Sequence, residues 1–213
     1  MPAISAIISD FGGVLTSPLA DSFQAFQEAT GISPADLGRA MVQVAVGLGA
    51  NPLFELETGR LTEAEFLSSL AGALTEQRGE PVTLDGFGER YFAHLEPNGP
   101  MIEYMRALRG RGYRLAICTN NVREWEPLWR AMLPVAEIFD VVVDSAFVGA
   151  RKPDPPIYEL TLARLGVTAP AALFIDDIEI NCDAARELGI RSVWFRSAEQ
   201  AITEIEAALL DTA

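Results

Sequence analysis

Apolar positions along the chain change their spacing several times, and each change predicts an element. Ala3-Ile4-Ser5-Ala6-Ile7-Ile8-Ser9 is a short, isoleucine-rich run that stops at Asp10 and Gly12-Gly13. Its length and β-branching predict a buried strand followed by a loop. From there to about residue 98 the spacing is helical. Ser17-Pro18 predicts an N-cap with Pro in the first turn, ahead of Leu19, Phe23 and Phe26 and a stop at Gly31. Ser33-Pro34-Ala35-Asp36 opens a second helix with Leu37, Met41 and Val44 on one face. Thr62 and Glu65 form a capping box before Phe66, Leu70 and Leu74. Phe87, Tyr91 and Leu95 mark a fourth helix, weakened by Gly86 and Gly88.

After Gly99-Pro100 strands and helices alternate. Ile102, Met105 and Leu108 predict a helix that ends near Gly110-Arg111-Gly112, and Tyr113 to Cys118 a strand. A helix is expected after Asn120-Asn121, with Trp125 and Trp129 one turn apart. Val141 to Val143 reads as a strand, and Asp154-Pro155-Pro156 starts the helix of Ile157, Leu160 and Leu165. Ala172 to Ile175 is a strand, and Ile180, Ala184 and Leu188 make a helix that ends at Gly189. Ser192 to Phe195 is the last strand, and Ser197 and Gln200 cap the helix of Ile202, Ile205 and Leu209. Short apolar strands alternating with amphipathic helices imply an α/β fold, a doubly wound, Rossmann-like parallel sheet. The reading divides the chain into a core, residues 1–15 and 99–213, and an all-helical insertion, residues 16–98.

Composition narrows the setting. Apolar residues make up 49% of the chain and charged residues 22%, enough apolar side chain to bury a core. Thirty acidic residues against sixteen basic ones give a net charge of −14. A surface of that sign repels nucleic acid and anionic lipid, so neither is an expected partner. A locally positive pocket still admits a small anion. No apolar run approaches the ~18 residues of a membrane span. Met1 to Ser9 lacks the basic start of a signal peptide. Two cysteines, Cys118 and Cys182, allow neither a disulfide framework nor a four-ligand zinc site and suit free thiols in a reducing cytoplasm. A single histidine, His94, excludes catalysis by two imidazoles.

In parallel sheets ligands bind beyond the carboxyl ends of the strands. Asp10 follows the first strand; Thr119, Asn120 and Asn121 follow the second; Arg151 and Lys152 come after the third; Asp176 and Asp177 follow the fourth. Crowded carboxylates repel, and a hard divalent cation such as Mg²⁺ relieves that repulsion. Thr119 and backbone N–H groups of a helix starting near Asn121 would donate to a phosphate, and Lys152 would add a positive charge. Asp10 is placed to attack phosphorus and form an aspartyl-phosphate.

Four segments, Asp-Phe-Gly-Gly-Val-Leu-Thr (10–16), Cys-Thr-Asn-Asn (118–121), Arg-Lys-Pro-Asp-Pro (151–155) and Phe-Ile-Asp-Asp (174–177), resemble the four motifs of the haloacid dehalogenase-like hydrolase superfamily, in order and spacing. The helical block resembles that superfamily's C1 cap (subfamily I). Asn121 and the 151–155 segment are similar to the subgroup containing the phosphatase domain of soluble epoxide hydrolases. The resemblance implies a Mg²⁺-dependent phosphomonoesterase acting on a small phosphorylated metabolite. Asp10 would be nucleophile and metal ligand. Thr119 and N–H groups around Asn120 would hold the phosphoryl oxygens, and Lys152 would neutralise Asp10 and phosphate. Asp176, Asp177 and the Gly12 carbonyl would complete the metal set, with Asn120, Asn121 and Arg151 facing the substrate.

Gly12 departs from the pattern, because family phosphatases usually carry an acid–base Asp there. General acid–base assistance is worth ~10²–10⁴-fold, so alkyl phosphates should react slowly. Two alternatives stay open: a 2-haloacid dehalogenase, in which Asp10 attacks carbon without metal, and a phosphoacceptor or degenerate binding protein without turnover. Several side chains also have structural readings. Asn120 and Asn121, with Glu124, are good capping residues, and Arg151 suits a solvated position as well as a substrate contact. Asp183 and His94 are read as surface or structural, Cys118 and Cys182 as packed, and Trp125 and Trp129 as packing residues. The insertion's apolar helix faces are read as its own core, some of its phenylalanines also suit a substrate pocket or a dimer contact, and a monomer and a homodimer are both compatible with the chain.

Overall fold

Five strands form one sheet in a computed structural model that describes residues 3–211. They are β1 (Ala6–Ser9), β2 (Arg114–Thr119), β3 (Val141–Asp144), β4 (Ala172–Asp176) and β5 (Arg191–Trp194), all parallel in the order β3-β2-β1-β4-β5. The fold is therefore the expected doubly wound α/β architecture. Residues 1–2 and 212–213, assigned to the core by the sequence reading, lie outside the described residues. The chain runs outward from β1 to β3, then returns to the other side of β1 for β4, which opens a crevice at the carboxyl ends of β1, β2 and β4.

Side chains alternate across the sheet with the strand period of two. Ile7, Leu115, Ile117, Leu173 and Ile175 face a cluster built by α6 (Gly99–Gly110), Trp129 and α12 (Ala198–Leu210). Ile8, Ala116, Cys118 and Phe174 face the other way, under α10 (Pro155–Leu165) and α11 (Glu179–Glu187). A third cluster belongs to the helices that follow β1: α1 (Leu19–Thr30), α2 (Pro34–Leu48), α3 (Pro52–Glu57), α4 (Glu63–Arg78) and α5 (Phe87–Ala93). Its centre is Phe26, Leu56, Phe66, Leu70 and Leu74, and it meets the sheet domain through Val122 and Trp125. The chain crosses between the two layers on paired segments. Thr16 bridges Pro97 antiparallel, the Ser17 amide donates to the Glu96 carbonyl at 2.7 Å, and the Asn98 side chain donates to the Val14 carbonyl at 2.8 Å.

Several local expectations change. The first strand starts at Ala6 rather than Ala3, although the Ser5 amide still reaches the Ala171 carbonyl at 2.8 Å. Ser17 does not cap α1: its hydroxyl accepts from the Glu96 amide at 3.1 Å, so the crossing claims it. No helix starts at Asn121. The chain makes a 3₁₀ turn over Arg123–Trp125 and only then enters α7 (Glu126–Ala131), with Pro127 in its first turn. Neither Asn120 nor Asn121 caps it, because both side chains are committed elsewhere. On α11 the buried face is Asn181, Cys182 and Ala185, whereas Ile180 is 61% exposed. Three short helices carry too few residues to show a period: α3, capped by Asn51, α8 (Val135–Ile138), and α9 (Ser145–Val148), capped by Asp144.

Candidate active site

Asp10, Lys152 and Asp176 meet in the crevice. The Asp10 amide donates to the Ile175 carbonyl at 2.8 Å, which extends the β1–β4 ladder by one step and brings the two acids level. Lys152 Nζ lies 2.7 Å from Asp10 Oδ1 and 2.6 Å from Asp176 Oδ2, with 2% of its side chain exposed. One ammonium between two carboxylates suits all three buried charges, since a lone buried charge costs several kcal/mol. Backbone and side-chain donors add to the pairing. Asp10 Oδ1 accepts from the Phe11 amide at 2.7 Å, and Asp176 Oδ1 from the Ile178 amide at 2.8 Å and Asn181 Nδ2 at 3.0 Å. This bond is why α11 turns a polar residue inward.

Asp177 completes an acidic triad: one carboxylate oxygen each from Asp10, Asp176 and Asp177 lie within 4.8 Å of one another. Gly13 makes room for it. Its φ is +73°, and a Cβ there would collide with the Asp177 carboxylate. The Gly13 amide donates to Thr16 Oγ1 at 3.0 Å, which closes the loop. Three acids against one lysine leave an excess of negative charge. Burial, only partly offset by Lys152 and reinforced by Asp176 and Asp177, pushes Asp10 up to about 7. Burial and then Asp176 push Asp177 up to about 6. The Lys152 ammonium is held above its usual range by Asp10 and Asp176 despite its burial. Oxygen donors gathered round an uncompensated charge fit a hard divalent cation.

The other predicted site residues divide. Thr119, at the end of β2, is buried and lines the adjoining cavity. Asn120 positions the lysine loop: its Nδ2 donates to the Lys152 carbonyl at 2.9 Å and its Oδ1 accepts from the Lys152 amide at 2.8 Å. The Asn121 amide donates to Ser145 Oγ at 3.0 Å, and its Oδ1 accepts from the Val122 amide at 2.9 Å. The expected row of helix N–H donors at Asn121 is therefore absent. Arg151 turns to the helical block, where Nε pairs with Glu57 at 2.7 Å and the guanidinium lies 3.7 Å from the Phe54 ring centroid. Gly12 lines the cavity, and a Cβ on it would stand 3.2 Å from Leu19 at the start of α1. Asp183 is exposed and pairs with Arg186, His94 is exposed, and both cysteines are buried and free. Burial pushes the Cys118 thiol up to about 11, which suits a packed residue rather than a nucleophile.

A cavity of about 380 Å³ lies between the helical block and the sheet, and it reaches the site at Phe11, Gly12 and Thr119, next to Asp10. Two of its residues escape a sequence reading. Glu57 comes from α3 and is held by Arg151, with its carboxyl raised by burial. Tyr91 comes from α5, and burial together with the Asp177 and Asp10 charges keeps its phenol protonated. Tyr91 reads as one more member of the apolar stripe of Phe87 and Leu95, Glu57 lies in a helix too short to show a period, and nothing marks either as facing a strand end.

A model of the haloacid dehalogenase-like hydrolases matches residues 4–189. The chain is 32% identical over 197 residues to Phosphatase MT3486 of Mycobacterium tuberculosis, covering 89% of this chain and 86% of that protein. It is 26% identical to mouse Bifunctional epoxide hydrolase 2 and 28% identical to mouse Acyl-CoA dehydrogenase family member 10, in each case over 96% of this chain. It spans only 38% and 19% of those longer proteins. Among solved structures, a Bacteroides thetaiotaomicron enzyme in complex with magnesium and inorganic phosphate superposes with a TM-score of 0.67 at 23% identity, covering 91% of this chain and 94% of that one. The L-2-haloacid dehalogenase of Xanthobacter autotrophicus superposes with a TM-score of 0.61 at 21% identity, covering 96% and 83%.

Proposed function

This chain belongs to the haloacid dehalogenase-like hydrolase family, and on that premise we propose that it is a Mg²⁺-dependent phosphomonoesterase working through an aspartyl-phosphate on Asp10. The carrying observation is the Asp10–Lys152–Asp176 arrangement with Asp177 beside it, which combines a nucleophile, a buried cation and an unfilled demand for positive charge. Asp10, Asp176, Asp177 and the Gly12 carbonyl would hold Mg²⁺. When bound, the ion neutralises the crowded carboxylates and screens the phosphoryl oxygens from the nucleophile's charge.

Both protein donors to the Asp10 carboxylate fall on Oδ1, which leaves Oδ2 to attack phosphorus. The Oδ2–P bond forms as the bond to the leaving oxygen breaks, and the leaving group departs as an alkoxide or phenoxide that takes its proton from solvent water. Water then attacks the same phosphorus, releases phosphate and restores Asp10. Lys152 steadies Asp10 as its charge is drawn into the new bond, and the Thr119 hydroxyl donates to a phosphoryl oxygen. Asn120 acts by fixing the loop of Lys152. Arg151 acts through Glu57, tying that loop to the helices of residues 16–98, which serve as the cap. Gly12 offers no proton to the leaving group, so aryl phosphates should be turned over faster than alkyl phosphates by ~10²-fold or more. In this reading the substrate is a small phosphorylated metabolite.

Phosphate release from p-nitrophenyl phosphate tests the proposal. Release should need Mg²⁺, stop in EDTA and fall at least ~10³-fold in Asp10→Asn, the loss expected when covalent catalysis is removed. Chloride release from 2-chloropropionate in EDTA would favour a dehalogenase instead. A stable phospho-Asp10 with no phosphate release would favour a phosphoacceptor.

A further inference from the structure

The cavity that opens beside Asp10, at Phe11, Gly12 and Thr119, is built for something other than a polyol. Its volume of about 380 Å³ exceeds what a phosphate alone occupies, and it falls in the ~300–1,000 Å³ range that encloses small organic ligands. Its walls are Phe23, Met41, Phe66, Leu70, Phe87 and Trp125. Three of the rings that bound it, Phe87, Tyr91 and Trp125, stack nearly parallel, with interplanar angles of 15–24°. The polar groups of its lining are few, and most are already bonded. The Asn120 amide is used on both sides by the Lys152 backbone, Asn121 Oδ1 takes the Val122 amide, and Glu57 takes Arg151. The Trp125 indole N–H is turned to Glu63 at 2.7 Å.

A sugar or triose moiety seated here would bury hydroxyls with few partners, at a cost of about tenfold or more in affinity for each one left unpaired. An apolar group would gain about fourfold for each methylene buried. Resting on the phosphatase reading above, we infer that the substrate is the phosphomonoester of an apolar organic alcohol or phenol, with the phosphate on Asp10 and the hydrocarbon inside the cap cavity. Glyceraldehyde 3-phosphate, which names other relatives in the family, is then a poor substrate here.

The test is a series of 4-n-alkylphenyl phosphates from methyl to octyl, assayed beside p-nitrophenyl phosphate, glyceraldehyde 3-phosphate and hexose phosphates. The leaving group stays chemically constant while the tail grows. We expect kcat/KM to rise about fourfold per methylene and then level off when the cavity fills. The best aryl ester should exceed every sugar phosphate by at least ~100-fold, the cost of two or more unpaired hydroxyls. Met41→Trp, on the cavity wall, should move the plateau to shorter tails. If that variant fails to fold, competition by n-alkylphosphonates of increasing length on the unaltered enzyme reads the same preference. A flat series, or a sugar phosphate equal to the best aryl ester, overturns the inference. An absence of p-nitrophenyl phosphate hydrolysis overturns the phosphatase reading itself.

Discussion

Asp144 shows how a residue outside the site can set the protein's response to pH. It ends β3, caps α9 by accepting from the Ala146 amide at 3.0 Å, and is 4% exposed. Its Oδ2 is buried without a partner, and the Trp129 indole N–H beside it does not reach bonding geometry. Burial raises its carboxyl from 3.8 to about 6. Between those values the folded chain keeps a proton that the unfolded chain has lost, so stability falls as pH rises from about 4 to about 6 and stays lower above that. Asp144→Asn keeps the capping oxygen and removes the charge. Relative to the natural chain, the variant should gain roughly 2 kcal/mol between pH 4 and pH 7.5. Urea unfolding of both proteins at the two pH values measures it, and an unchanged difference would sink the argument. Residues of this kind are hard to read in advance. Asp10, Thr119, Lys152, Asp176 and Asp177 stand out in the sequence because each follows a strand-like run. Asp144 also follows one, but only the packing of Trp129 over it gives it consequence. Glu57 and Tyr91 reach the cavity from helices more than thirty positions apart in sequence, and no local pattern joins them to Asp10.

At the scale of elements, hydrophobic spacing located every strand and most helices, because burial on both faces of a parallel sheet leaves a strong apolar signature. It failed where a polar requirement outweighed it. The Ile180, Ala184, Leu188 stripe suggested one orientation of α11, yet the helix is turned so that Asn181 reaches Asp176 at 3.0 Å and accepts from the Tyr158 hydroxyl at 2.9 Å through its carbonyl. A hydrogen bond to a charged group is worth ~1.5–3 kcal/mol, which is at least as much as an isoleucine 61% exposed gives up. Two substitutions separate the orientations. Ile180→Lys should change stability by less than ~0.5 kcal/mol, as for a surface position. Asn181→Leu should cost ~2–4 kcal/mol by leaving Asp176 under-bonded and crowding α11. Chemical denaturation of the pair decides it, and the reverse ranking would mean that the apolar stripe is the buried face. The failure at Asn120 and Asn121 has the same origin. Both are good capping residues by type, but the Lys152 loop and Val122 take their side chains first.

For the molecule as a whole, the −14 charge and the acidic triad make separable predictions about salt. Any electrolyte screens the diffuse self-repulsion of so acidic a surface and should raise the melting temperature modestly, in proportion to ionic strength. A cation held at Asp10, Asp176 and Asp177 acts differently. It binds the folded state alone, because the three carboxylates converge only when β1 and β4 are paired. Stabilisation then follows saturation and reaches about 2.7 kcal/mol when the free ion is at 100 times its dissociation constant. MgCl₂ should therefore raise the melting temperature beyond an ionic-strength-matched NaCl control, and the increment should persist in 0.15 M NaCl (about one physiological salt background). Asp177→Asn should abolish the increment while keeping the response to NaCl, since it removes one ligand and only one of thirty acidic side chains. Differential scanning calorimetry of the two proteins in both salts is the measurement. Equal shifts from MgCl₂ and matched NaCl would reduce the triad to one more patch of an acidic surface. A Mg²⁺-specific shift lost in Asp177→Asn would locate the molecule's demand for positive charge at Asp10, Asp176 and Asp177.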